Sequence, residues 1–283
     1  VSAPALRRLD QPGPRSDQAW RAQPCGVAMT TVTLPAGATL AEALIAAGGA
    51  GGSAAFVLDD VAVAPLVYNL PSLSDDPRRA AWYAGPFTAE GAVIKTGAVF
   101  LGRQDGRPAL HCHARWRLAD GSTGAGHILL DRTVLARTAQ TGMAAIEGAI
   151  FDIQPDAETN FSIFHPVPAS GSGAEGASGA LLVKLSPNVD FTRTLEAAAA
   201  AHDMPEARIV AAVGSLVGGA FEDALAIADP ITEVFMVDGH IGTRARAGVR
   251  AIAVDPRATV HEGRLRRGDN AVGITFEVLL AAG

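Results

Sequence analysis

Ala109-Leu110-His111-Cys112-His113-Ala114-Arg115-Trp116, then Ala119-Asp120-Gly121-Ser122-Thr123, then Gly124-Ala125-Gly126-His127, is the stretch on which the reading of this chain turns. The first segment alternates as a strand does, so His111 and His113 project from one sheet face about two rises apart, while Cys112 projects from the other and is not counted with them. The Asp-Gly segment reverses the chain. The last segment returns His127 along a neighbouring strand, with small residues ahead of it that let its backbone come close. Three neutral imidazoles at one point suit zinc or another late first-row divalent ion, and three protein ligands leave a position free for substrate. The plain alternative is a His-x-His pair facing solvent or a subunit contact, because that pattern is short and frequent.

Outward from the histidines, the chain divides at Ala169-Ser170-Gly171-Ser172-Gly173-Ala174-Glu175-Gly176-Ala177-Ser178-Gly179, a run with the composition of a flexible linker. On either side the sequence restarts in a similar way. Leu34-Pro35-Ala36-Gly37-Ala38-Thr39-Leu40 leads into an alanine-rich helix, and so does Leu185-Ser186-Pro187-Asn188-Val189-Asp190-Phe191, with Thr39 and Asp190 placed as N-caps. Val93-Ile94-Lys95-Thr96-Gly97 is echoed by Phe235-Met236-Val237-Asp238-Gly239, and both read as strands closing on a glycine turn. Residues 1–28, rich in Pro, Arg, Gln and Ser, read as an arm, either mobile or draped over a partner surface. The expected organisation is therefore an arm (1–28), a first α+β domain with the histidines (29–168), a linker (169–179) and a second, related domain (180–283).

Composition narrows the function classes. With 283 residues, 48% hydrophobic and 18% charged, the chain can bury one large core or two ordinary ones. Heavy use of alanine and glycine with little lysine points to a GC-rich genome. The formal net charge of −6, without a long lysine and arginine run, is a poor footprint for a phosphate backbone and disfavours nucleic acid as a partner. Cys25 and Cys112 sit in unlike surroundings and imply no disulfide framework. No apolar segment reaches bilayer-spanning length, and Arg7, Arg8, Asp10, Arg15 and Asp17 break the apolar core a secretory signal needs, so a soluble cytoplasmic protein is expected. Gly48-Gly49-Ala50-Gly51-Gly52-Ser53 lacks the Lys-Ser or Lys-Thr of a nucleotide loop. His165, His202, His240 and His261 stand singly, and only His240, beside Gly239, invites a test as a ligand.

Leu110-His111-Cys112-His113, Asp120-Gly121 and Gly124-Ala125-Gly126-His127-Ile128 resemble the signature of the plants-and-prokaryotes-conserved (PPC) domain: His-x-His, an Asp-Gly turn, then Gly-Gly-His-Leu. Ala125 and Ile128 depart mildly from it. Gly85-Pro86-Phe87 and the run Pro155 to Phe161 add to the resemblance. In the second half, Leu185 to Phe191 and Ala207 to Leu216 resemble the opening of the same domain, but Val249-Arg250-Ala251-Ile252 and Gly263-Arg264-Leu265 stand where its histidines belong, so this copy is degenerate. The resemblance implies two tandem PPC-like domains, each a mainly antiparallel sheet with flanking helices. It also implies a trimeric homo-oligomer with the histidine cluster near a contact between domains. Plant members carry a separate AT-hook for the DNA minor groove, whereas bacterial members stand alone. Gly106-Arg107-Pro108 here lacks the hook's basic surround.

Three functions compete. In the first, His111, His113 and His127 hold a zinc-like ion in an enzyme that hydrolyses or cleaves, as a lyase does, a small anionic carbonyl or carboxylate compound. Tyr83, Lys95 and Arg115 are the catalytic helpers, and Arg250 and Arg264 swing in from the degenerate copy to bind the substrate carboxylate. The second is a DNA-associated regulator with a structural metal. The third is a small-molecule-binding assembly module without turnover.

Overall fold

Alternating apolar residues give most of this chain to strands. The computed structural model describes residues 6–49, 51–169, 179–242 and 248–283, so most of the expected linker lies outside the described residues. In chain order the elements are β1 (Trp20–Leu34), α1 (Leu40–Gly48), β2 (Ala54–Leu58), β3 (Val61–Val63), β4 (Leu66–Leu73), β5 (Ala81–Ala89), β6 (Ala92–Gln104), β7 (Arg107–Leu118), β8 (Thr123–Ile128), β9 (Ala139–Glu147), β10 (Ala149–Pro155) and β11 (Ser162–Pro168). Then follow β12 (Ala180–Leu185), α2 (Phe191–Ala200), β13 (Ala207–Leu216), β14 (Thr232–Met236), β15 (Gly239–Ile241), β16 (Gly248–Val254), β17 (Val260–Arg264) and β18 (Val272–Ala282).

Both helices start at the expected caps. Thr39 Oγ1 accepts from the Glu42 amide at 3.1 Å while Glu42 returns a carboxylate oxygen to the Thr39 amide at 3.0 Å, and the Asp190 carboxylate accepts from the Arg193 amide at 2.8 Å. The strands form two mainly antiparallel sheets. One runs β1–β9–β2–β6–β7–β8–β4–β5, with the β10–β11 hairpin joined to β6 by a single parallel bridge between Asp152 and Arg103. The other runs β1–β12–β18–β13–β14–β16–β17.

One strand therefore belongs to both sheets. Residues Trp20 to Cys25 of β1 pair with β12, and Gly26 to Leu34 pair with β9. This differs from the expected arm of 1–28, because its last nine residues are strand. Their pattern hid it, since only Cys25 among Trp20 to Ala28 is fully buried. The preceding residues lie on the chain's own surface: Arg7 donates to the carbonyls of Ile227, Ala228 and Asp229, and Leu9 is buried with its amide on Asn188. The echo at Val93 to Gly97 is corrected as well. β6 does not close on Gly97 but runs on to Gln104, and a Cβ at Gly97 would stand 2.8 Å from that of Ala114, so this glycine serves the close pairing of β6 with β7.

Each sheet has one face under a helix and the other against its companion sheet. Leu40, Ala43 and Leu44 of α1 pack with Phe56, Val99, Cys112 and Trp116, while Phe191, Leu195 and Ala198 of α2 pack with Leu181, Val183 and Phe276. Between the sheets, Ala98, Phe100, Phe151 and Phe164 meet Val210, Val213, Phe235 and Leu279. Burying each large apolar side chain contributes about 1.5–3 kcal/mol, so the halves meet in a true core.

The two halves match in backbone detail. Leu40 N donates to Thr133 O as Phe191 N donates to Asn270 O, both at 2.8 Å, and the bridge Thr39–Val134 matches Asp190–Ala271. His113 faces His127 across β7 and β8, as Arg250 faces Arg264 across β16 and β17.

Where β1, β11 and β12 meet, a polar cluster is enclosed. Lys184 bonds Asp156 at 3.4 Å and Arg21 reaches His165 Nδ1 at 3.2 Å, with the His165 and Lys184 side chains only 4% exposed. Burial, then the charges of Lys184 and Arg21, lower the His165 pKa to about 4. The unfolded ring takes its proton near 6.5, so between those values the unfolded chain binds more protons than the folded one, and stability falls as pH drops through that window. Denaturant unfolding of the parent should lose on the order of 3 kcal/mol between about pH 6.5 and pH 4 from this ring, and His165→Asn should flatten that part of the profile. An unchanged slope in the variant would assign the acid sensitivity elsewhere.

Candidate metal centre

The alternation of β7 sends Cys112, Ala114 and Trp116 into the core beneath α1 and leaves His111 and His113 on the opposite face, toward the second sheet. The Asp120-Gly121 turn holds through the Asp120 carboxylate, which accepts from the Ser122 amide at 2.9 Å, and Gly121 takes the left-handed conformation at φ 86°. β8 then lies between β7 and β4. A Cβ at Gly126 would stand 2.5 Å from the Asn69 carbonyl oxygen, so the glycine ahead of His127 permits that approach.

The ligand atoms of His111, His113 and His127 all lie within 4.8 Å of one another. The Nε2 atoms of His111 and His113 face each other at 3.1 Å. Each ring has a partner for its other nitrogen: His111 Nδ1 lies 2.9 Å from Glu277 Oε2, His113 Nδ1 lies 3.0 Å from the Val234 carbonyl oxygen, and His127 Nδ1 lies 3.4 Å from the Tyr83 hydroxyl. Glu233 Oε2 stands 2.6 Å from His113 Nε2. Two of these partners are carboxylates from the second sheet, on β14 and β18, and Glu277 is 1% exposed.

This donor set fits a divalent ion. With a partner beside each Nδ1, the Nε2 atoms are the ones left for a metal, that of His113 in exchange for its contact with Glu233, and such outer partners fix ring tautomer and orientation in metal sites. Without an ion, burial opposes a charge on His113, but the adjacent Glu233, its bond and the Val234 carbonyl outweigh burial and raise the pKa. His127 goes the other way, since burial and then its two histidine neighbours hold it well below the usual value, as a neutral ring. Burial, then the charges of Glu233 and Glu277, push the Tyr83 phenol well above its ordinary value and keep its proton on.

His111 and His127 open onto a cavity of about 250 Å³ between the sheets, with His113 buried behind them. Its walls are largely apolar, with Trp82, Ile153, Phe161 and Phe164 from the first half and Ile231 and Ile274 from the second, and Tyr83, Ser215, Thr275, Glu233 and Glu277 add polar atoms.

Of the expected helpers, Tyr83 is at this site. Lys95 is ion-paired to Asp60, and Arg115 bonds Glu262 at 2.7 Å; both line a separate surface groove. Arg250 and Arg264 are not brought to the imidazoles either. Arg250 is held by Asp223 and Glu262 at 3.0 Å each, and Arg264 lies 3.7 Å from Glu222. What the second half brings to the histidines is acidic. Glu277, in Thr275-Phe276-Glu277-Val278, had a sequence signal: a charge in the inward register of an apolar strand.

No family model and no curated protein matches the chain. Solved structures similar to about half of it include a plant- and prokaryote-conserved protein of Pyrococcus horikoshii, at 12% identity and a TM-score of 0.38, covering 50% of this chain and 95% of that one. A metal-containing protein from Archaeoglobus fulgidus matches at 14% identity and a TM-score of 0.36, covering 49% and 93%. A candidate DNA-binding protein from Ralstonia eutropha JMP134 matches at 15% identity and a TM-score of 0.35, covering 48% and 89%. The expectation that nucleic acid is disfavoured gains no support from these likenesses. Among the described residues no helix is long and apolar enough to cross a membrane.

The bond from Glu277 to His111 yields a direct expectation. Glu277→Gln should weaken zinc binding by roughly 10- to 100-fold in a competition titration against a chromogenic chelator, with little change in fold by circular dichroism. Equal affinity in parent and variant would deny Glu277 an orienting role.

Proposed function

We propose that His111, His113 and His127 hold one divalent ion, zinc or a similar late first-row metal, and that the chain is an enzyme acting on a small carbonyl or carboxylate compound by hydrolysis or lyase chemistry. The observation that carries the reading is the convergence of the three rings, their ligand atoms within 4.8 Å of one another and each Nδ1 beside a partner, next to a largely apolar cavity. When bound, such an ion supplies a Lewis acid that polarises a substrate oxygen.

The chain's own groups do the rest. Glu233 is placed to take a proton beside the reacting atoms, as a general base must be. Tyr83 keeps its proton, and its hydroxyl, 3.4 Å from His127 Nδ1, adds a polar group to the cavity wall. The largely apolar walls lower the local polarity and so strengthen the charge interactions at the inner end. Lys95, Arg115, Arg250 and Arg264 have no part in this reading, because their charges are spent on carboxylates elsewhere.

The same reading makes the two halves descendants of one duplicated PPC-like domain. The matched helix starts, and the matched registers of His113 with His127 and of Arg250 with Arg264, support it. In that case one copy kept the imidazoles and the other supplies the carboxylates that serve them.

Elemental analysis of the purified protein should find about one equivalent of a divalent metal, lost in His113→Ala, on the three-ligand stoichiometry of such sites. Absence of stoichiometric metal in the parent removes the enzyme proposal. Metal retention together with a salt-dependent shift of duplex DNA, and no turnover of ester or lactone panels, would instead favour the regulatory reading.

A further inference from the structure

Two aromatic residues of the cavity wall, Trp82 and Phe161, carry a cation beside them. Arg79 sits on the loop between β4 and β5 with its guanidinium carbon 4.2 Å from the centre of the Trp82 ring and 5.6 Å from that of Phe161. Those two rings stack on each other at 5.6 Å, and both line the cavity that holds the histidines. Trp82 is also 44% exposed, so it marks the opening rather than the floor. Among the described residues no ion pair engages Arg79; the neighbouring Asp76 carboxylate is taken by Arg78 at 2.7 Å. A guanidinium over an aromatic face keeps its N–H fork in its own plane, and that fork matches a carboxylate.

Charge at the far end gives the ligand a direction. Glu233 and Glu277 lie at the inner end beside the imidazoles, and both repel an anion that enters head first. Between the two ends the walls are aromatic and aliphatic. We propose that the cavity takes a small carboxylic acid with an apolar body, its carboxylate anchored by Arg79 beside Trp82 and its neutral end directed to the imidazoles. This rests on the reading of the histidine cavity as the place where the protein acts, and names for it the class of molecule and the anchoring residue. Arg79 then does what the sequence led us to expect of Arg250 and Arg264.

The test is calorimetric titration of phenylpropionate and of its uncharged amide, phenylpropanamide, into metal-stripped and zinc-loaded protein, for the parent and for Arg79→Gln. The parent should prefer the acid by roughly tenfold to a hundredfold in both metal states, the worth of a charge-assisted contact. Arg79→Gln should lose that preference and bind the amide as before, which also shows that the cavity is intact. Failure of the parent to bind either probe, equal binding of the two, or a preference that survives in Arg79→Gln overturns the anchor. A preference seen only with zinc and indifferent to Arg79 places the carboxylate on the metal; it overturns the anchor and leaves the metal reading standing. An Arg79-dependent preference in a protein that takes up no zinc does the reverse.

Discussion

A carboxylate taken out of water must be met by a proton donor or a positive charge, since an unpartnered buried ion costs far more than any single contact returns. Glu277 and Glu233 are in that position. They sit on strands whose neighbouring side chains form the core between the two sheets, and the groups that meet them are His111 and His113 from the other sheet. Packing and site geometry are thus one constraint. The apolar contacts of Phe100, Phe151, Val213 and Phe235 bring the sheets to core spacing, and at that spacing the imidazoles become the partners within reach of the acids.

Equivalent ladder positions show how far surroundings decide chemistry. His113 and His127 face one another under the cover of the second sheet, with the His113 side chain 1% exposed. Arg250 and Arg264 face one another in the matching register but in solvent, the Arg250 side chain 58% exposed. Two like charges directly opposite repel. Here Asp223, Glu262 and Glu222 neutralise them, in exposed pairs of the kind that contribute little to stability. Residues at corresponding ladder points of the two sheets form a desolvated imidazole cluster in one half and ordinary surface in the other.

The parts of the site legible in the sequence are those fixed within a few residues. Strand alternation placed His111 and His113 together and Cys112 apart, the Asp120-Gly121 turn returned His127, and Thr39 and Asp190 marked helix starts. Glu233 and Glu277 escaped notice because their role depends on which sheet lies across from them, more than a hundred residues away in the case of His111 and Glu277. Arg250 and Arg264 face one another across β16 and β17, but their carboxylate partners, too, are set by packing that local pattern does not carry. Arg79, in a polar stretch without periodicity, acquires meaning only once Trp82 and Phe161 meet.

The path of β1 also bears on how such a chain folds and diversifies. Trp20 pairs with Leu185 across most of the chain, so β12 cannot complete its ladder until a strand from the far end has arrived. Such long-range pairings raise contact order, and assembly is correspondingly slow and concerted. Two sheets with no strand in common could be separated and recombined as independent cassettes. Lacing one strand through both sheets has ended that freedom, for neither half can be excised without leaving the other an open edge.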